Sequence, residues 1–273
     1  MLRSMFISAW NSLRTLYCHQ ALLIELSKRD IADQFVGQAF GNLWAIFHPL
    51  FLMGIYLFVF AFVFRTKLGG TYAMPLDYTT YILAGLIPWM SLQLNLAKSC
   101  SAITGSTSLV KQVVFPIEIL PAKIVLATLF SQIVSIGILI VYVLAVYHYI
   151  PIMYTLLPFL VLMQLLGTIG LAFLLSSVCV FFRDLREFVT LYCIAGVFLL
   201  PITYLPAWVP PIFKPFLYLN PFSYLIWCYQ DILYYGRFEH MFAWPVMIGG
   251  TLFIFMLGTY LFANLKSMFG DAL

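Results

Sequence analysis

The chain has 273 residues, of which 63% are hydrophobic and only 9% charged, and it carries a formal net charge of +4. Soluble domains carry about a quarter charged residues, so a chain this long and this apolar cannot clothe itself for water. A soluble enzyme is thereby excluded, no nucleic-acid partner is expected, and the composition is that of an all-α polytopic membrane protein.

In chain order, the first 33 residues carry charges throughout and lack the short apolar core and small-residue cleavage site of a signal peptide. Residues 12–35 read as an amphipathic helix lying in the membrane interface. On a helical wheel Leu13, Leu16, Tyr17, Leu23, Ile24, Ile31 and Phe35 share one arc of about 120°, with Arg14, Glu25, Lys28, Arg29, Asp30 and Asp33 opposite. A soluble helix packed on a partner is the alternative reading of the same wheel.

A membrane-crossing helix needs about 20 apolar residues. Uncharged stretches place spans at 43–64 and 78–97. The loop that follows is small and polar, turns apolar and basic over Leu109–Phe115, and is redirected by Pro116 and Pro121. A short surface helix tied to both flanking spans is what a docking element requires. From Ile124 to Phe182 there is no Asp, Glu, Lys or Arg. That run is long enough for two spans, 119–146 and 155–181, with the break in VYHYIPIMYTLLP around Pro151.

The octet FFRDLREF, Phe181 to Phe188, then concentrates four charges, Arg183, Asp184, Arg186 and Glu187, between two uncharged regions. It predicts a short turn before a fifth span at 188–205. Six prolines between Pro201 and Pro221 forbid a continuous helix there. Residues 206–238 therefore read as a re-entrant hairpin, the alternative being a seventh span over Phe216–Tyr235. The last span is 242–264. With six spans both termini share a side, and placing them in the cytoplasm puts ten Lys and Arg inside against four outside.

The chain has no GxxxxGK[ST] nucleotide loop. Its spans hold almost no ionisable groups of the kind that ion-driven carriers use. Its five cysteines and four histidines show no metal spacing. A membrane enzyme acting on polyprenyl-phosphate sugars would need clustered carboxylates or bases. The predicted outer side offers only the separated Asp77, Asp231 and Glu239, and on the inner side the acids sit beside bases. A conduit moved by a separate energy source fits better.

The motifs RDI (29–31), GNLWAIFHPL (41–50), LVKQVVFPIEILP (109–121), FRD (182–184) and LNPFSYLIWCYQDIL (219–233) occur in this order. In them the chain resembles the membrane subunit of ABC-2 type transporters, in the branch that exports O-antigen, capsule and teichoic acid. That resemblance implies a homodimer forming a channel with two copies of a separate ABC ATPase. ATP and magnesium would bind that partner, and this chain would hold no cofactor. It implies a coupling helix at 104–116, with Ser108, Leu109, Val110, Lys111 and Gln112 meeting the ATPase together with Arg183, Asp184, Arg186 and Glu187. It implies that the N-terminal helix, through Lys28, Arg29 and Asp30, flanks a lipid entrance. The cargo would be a lipid-linked glycan, of the polyprenyl-diphosphate-linked O-antigen type, crossing a bacterial inner membrane; capsule, teichoic acid, a drug or another lipid is the alternative. The chain departs from the family pattern where Asp33-Gln34-Phe35 follows the RD pair and where Tyr229 is followed by Gln230.

Twelve of the 17 tyrosines fall on the predicted outer half. A ring can stack on a sugar face while its hydroxyl meets a sugar edge. Tyr224, Trp227 and Tyr229 are the expected glycan-path aromatics, the alternative being a thick interfacial belt.

Overall fold

The structure, a computed structural model, describes residues 2–34, 36–59, 75–107, 109 and 115–272, and among these every regular element is helical. Helices α1 (Leu2–Cys18) and α2 (Gln20–Asp33) precede α3 (Trp44–Leu57), α4 (Tyr78–Ser99), α5 (Ile119–Tyr147), α6 (Leu157–Phe181) and α7 (Leu185–Leu199). Two short helices, α8 (Lys214–Leu219) and α9 (Pro221–Gln230), and a π-turn at Asp231–Tyr235 lead to α10 (Ala243–Leu265). A helix thus occupies each segment expected to span.

Among the described residues, three segments are long and apolar enough to cross a bilayer on their own: Ile119–Tyr147, Ile152–Phe181 and Ala243–Met268. Helix α4 has the length, at 22 residues, but Ser91, Gln93 and Asn95 dilute its hydropathy. Its neighbours cover it: the side chains from Thr79 to Trp89 are all buried. Helix α7 has 15 residues, about 22 Å of rise, short of a hydrocarbon layer of about 30 Å. Pro201 ends the expected 188–205 segment in turns. The part of the 43–64 segment beyond residue 59 lies outside the described residues.

The amphipathic segment differs from its expected form. It begins at Leu2 rather than at residue 12, and it breaks at His19 into two helices. The inward stripe is Met5, Ala9, Ser12, Leu16, Leu23 and Ser27, at spacings that keep one helical face. Of the expected apolar arc, Leu16 and Leu23 lie inside, whereas Leu13, Tyr17 and Ile24 are exposed. Ranking residues by hydrophobicity finds the inner face only when water bathes the outer one. Against lipid, large apolar side chains sit outside as comfortably, and small residues turn inward to let helices approach.

The same rule sets a backbone-to-backbone contact between two long helices. Where α6 crosses α10, a Cβ on Gly258 would lie 2.0 Å from the Gly170 carbonyl oxygen, and one on Gly170 would lie 2.5 Å from Cα of Phe255. The two backbones touch there, flanked by buried Phe173 and Phe262, whose rings are 4.8 Å apart. Gly196 of α7 makes room in the same way for the buried Trp89 of α4, whose ring a Cβ would meet at 1.9 Å.

At one end of the bundle, tyrosine hydroxyls serve backbone carbonyls that the proline-broken segment cannot satisfy. Tyr78 donates to Thr203 O (2.5 Å), Tyr81 to Tyr204 O (3.2 Å), Tyr154 to Leu233 O (2.8 Å) and Tyr234 to Leu76 O (3.3 Å). Gln230 Nε2 donates to Pro201 O at 2.8 Å. Tyr142 and Tyr147 both donate to the Asp77 carboxylate, at 3.1 and 3.0 Å. Irregular backbone at membrane depth requires such internal partners, which accounts for much of the tyrosine excess at this end.

Asp231 ties the return loop to this end. Its buried carboxylate accepts from Trp244 Nε1 (3.1 Å), His240 N (3.1 Å) and His240 Nδ1 (2.8 Å). The His240 ring stacks on Trp227 at 5.5 Å. Asp231→Ala leaves buried donors without an acceptor, at about 1–3 kcal/mol for each unsatisfied group. The expected result is a fall of roughly 5 °C or more in the thermal midpoint of the purified protein, while Glu239→Ala, on an exposed pair with Arg237, leaves the midpoint within about 2 °C.

Candidate functional site

The other end of the bundle gathers the basic residues. Helix α4 ends at Ser99, and the chain turns at once: Ser101 N bonds Lys98 O, Ala102 N bonds Ser99 O and Gly105 N bonds Ser101 O (3.1, 3.2 and 2.8 Å). Ala102 and Ile103 are buried, the latter in the apolar cluster that holds Leu16, Leu23 and Ile119. The start of the loop is therefore fixed to α1, α2 and α5. Of the residues expected to meet an ATPase, Leu109 is described and 38% exposed. Ser108, Val110, Lys111 and Gln112 lie outside the described residues.

Two clasps hold the helices around this loop. Asp30 of α2 sits between Lys98 of α4, at 3.7 Å, and Lys123 of α5, at 3.6 Å, and all three side chains are 20–30% exposed. These distances exceed a hydrogen bond, so the contact is Coulombic. Lys266, after α10, meets Glu118 just before α5 at 2.7 Å. The loop that opens after Lys98 and closes at Glu118 is thus pinned by charge at both ends. Asp30 acts as this pin, whereas Lys28 and Arg29, expected beside it at a lipid entrance, project outward. They form exposed pairs with Glu25 (3.1 Å) and Asp33 (3.6 Å), each worth about 0–1 kcal/mol.

The charged octet lies beside the same loop. The turn at 182–184 joins α6 to α7 through Phe182 N to Val178 O (2.9 Å) and Phe188 N to Asp184 O (3.4 Å). Arg183, Asp184, Arg186 and Glu187 are exposed and line a cavity of about 550 Å³ together with Thr104 and Thr107 of the loop and the buried Cys100 and Cys179. Among the described residues no ion pair within 4 Å involves any of the four charged groups. Two loops distant in sequence therefore share one open polar hollow with two positive and two negative side chains on one wall.

Two of the three aromatics expected on a glycan path are buried within this chain. Trp227 and Tyr229 have 0% exposure, and Tyr224, partly buried, donates to Tyr218 O at 2.7 Å. Tyr229 belongs to a buried triangle: Gln132 Nε2 donates to Gln164 Oε1 (2.7 Å) and to Tyr229 Oη (2.9 Å), and Tyr229 Oη donates to Gln164 Oε1 (2.5 Å). In this protomer Trp227 and Tyr229 pack the core, because the prolines that break the chain turn α9 inward instead of leaving it on the surface. Gln132 and Gln164 were not expected at any site. Their signal was present, since they are the only glutamines in the 59-residue uncharged run.

A family model described as ABC-2 type transporter matches residues 21–234. The O-antigen export system permease protein RfbA of Klebsiella pneumoniae is 26% identical over 254 residues, covering 92% of this chain and 95% of that protein. The protein of the same name from Myxococcus xanthus is 26% identical over 264 residues, 95% of this chain and 98% of its own length. With helices at every expected span and a family match over most of its length, the chain belongs to the ABC-2 type transporter membrane family.

Proposed function

We propose that this chain is the membrane subunit of an ATP-driven exporter that moves a lipid-linked polysaccharide of O-antigen type across the bacterial inner membrane, with ATP and magnesium bound by a separate ATPase subunit. The observation that carries the reading is the hollow between the loop after α4 and the turn 182–184. It sets four charged side chains of the turn, in no ion pair among the described residues, against Thr104 and Thr107 of a loop tied to different helices, which suits a partner that presses on both. Relatives named as O-antigen export permeases supply the cargo class.

In this reading the basic end faces the cytoplasm, both termini lie there, and six helices span. Residues 104–116 form the coupling helix. The α1–α2 pair is the interface helix, and Lys28 and Arg29 lie at a lipid entrance. Residues 206–238 form the re-entrant hairpin: Phe222, in the first turn of α9, packs on Trp89 midway along α4 with ring centroids 6.0 Å apart, and the chain then returns to the tyrosine-rich end. The working unit is a homodimer with two ATPase subunits. An exposed ridge on α7, Phe188, Leu191, Ile194 and Phe198, suits the second copy.

The double variant Arg183→Glu/Arg186→Glu tests the coupling surface. These side chains touch no described partner, so protein level and thermal midpoint stay unchanged. Export of surface glycan in a strain lacking the native gene falls at least about tenfold, the equivalent of losing roughly 1.4 kcal/mol of productive docking. Wild-type export by this variant would remove the turn from the mechanism.

A further inference from the structure

A crevice of about 250 Å³ enters the protein between α3, α4 and α5. Its lining includes the exposed Gln34, whose Nε2 donates to Asp30 O at 3.0 Å, and the buried Gln132. One side is apolar, with Trp44, Met53, Met90 and Leu94; the other carries Ser91, Thr128, Ser131 and Ser135. Among the described residues its wall holds no carboxylate, and His48 is its single titratable group.

Three hydroxyls of the polar wall have already donated and offer acceptors. Ser91 Oγ has given its hydrogen to Thr128 O (3.2 Å), Thr128 Oγ1 to Val125 O (3.0 Å) and Ser135 Oγ to Ser131 O (2.9 Å). Gln132 is 2% exposed, and its Oε1 accepts from nothing. Its orientation is fixed by a chain of constraints. The Pro88 carbonyl can only accept, so it takes Gln164 Nε2, at 3.4 Å. Gln164 Oε1 must then face Gln132, which must answer with Nε2. Flipping Gln132 would set two carbonyl oxygens against each other. A buried amide oxygen without a donor is costly, and hydroxyl oxygens that have already donated can only accept.

We propose that this crevice is a subsite for a neutral sugar ring of the transported amphiphile. It rests on the cargo class proposed above and assigns a place to one part of that cargo. A sugar brings several hydroxyl donors to the Ser91, Thr128 and Ser135 oxygens and a C–H face to Trp44, Met53 and Met90. The volume equals the share of about eight waters in the liquid, enough for a single ring and too little for a chain.

The test uses the full-length protein in lipid nanodiscs and two probes: a polyprenyl diphosphate carrying one hexose, and the same polyprenyl diphosphate without sugar. The wild type binds the hexose-bearing probe about tenfold more tightly. Gln132→Leu and Ser131→Leu each abolish that preference and leave affinity for the sugar-free probe unchanged. Ser131→Leu fills the crevice without touching the glutamine–tyrosine triangle, so it decides the matter if Gln132→Leu fails to fold. No preference in the wild type, or a preference that survives Ser131→Leu, overturns the subsite and leaves only a hydrated crevice. If glycan export in cells still requires this chain, such a result overturns the subsite alone. If export does not require it, the proposed function falls as well.

Discussion

Gly258→Leu is expected to yield no folded protein. The new Cβ would start 2.0 Å from the Gly170 carbonyl oxygen, where unstrained carbon contacts sit at about 3.5–4.0 Å. The obstacle is backbone, so no rotamer relieves it, and α6 and α10 must separate. Separation opens the packing of Phe173 on Phe262 and of Phe262 on Phe269, whose rings lie 4.8 and 5.5 Å apart. Lost packing at that scale puts the variant above about 4 kcal/mol, beyond what most single substitutions cost. Size-exclusion chromatography in detergent would show aggregate in place of a defined peak. Gly249→Leu, on the same helix but with nothing within 4 Å of its Cβ position, serves as the control and folds normally. Equal behaviour of the two would mean that the helix crossing is not where the structure puts it.

Asp30→Lys carries the second-largest effect. The wild-type carboxylate lies between two ammonium groups at 3.7 and 3.6 Å; the variant places three cations together. Removing one partner of a fully buried pair costs about 3–5 kcal/mol. Partial exposure here reduces the loss to about 2–3 kcal/mol, or roughly 5–10 °C in thermal midpoint. Export should fall further than stability explains, because the pin joins α2 to both helices that flank the loop proposed to couple to the ATPase. Adding Lys123→Asp returns an opposite charge to the cluster and should restore most of the midpoint. A variant with both properties intact would show that the clasp is incidental.

The helices were legible because uncharged length is a strong signal in a membrane chain, and charges and prolines marked their ends at Asp77, Lys98 and the octet. The inner face of α1 and α2 was not. Where lipid bathes a helix, its most apolar side need not be its inner side, so the apolar arc with Tyr17 and Ile24 did not point to the inward-packed Ala9 and Ser12. The clasps were hidden for a different reason: Asp30, Lys98 and Lys123 are neighbours only after three helices assemble. The burial of Trp227 and Tyr229 was not legible, because an aromatic reads alike as a binding surface or as core, and the direction in which α9 turns decides its packing. The octet was visible as an anomaly, but its company with Thr104 and Thr107 needed the fold.

The account depends on the helices supplying a route while a nucleotide-hydrolysing neighbour supplies the energy. The direct test is translocation of a lipid-linked glycan in proteoliposomes containing the purified chain, with and without its ABC ATPase, each with ATP and magnesium. Accumulation of cargo in the far leaflet against its gradient only when both proteins are present is the expected result; uphill accumulation by the chain alone would contradict the account.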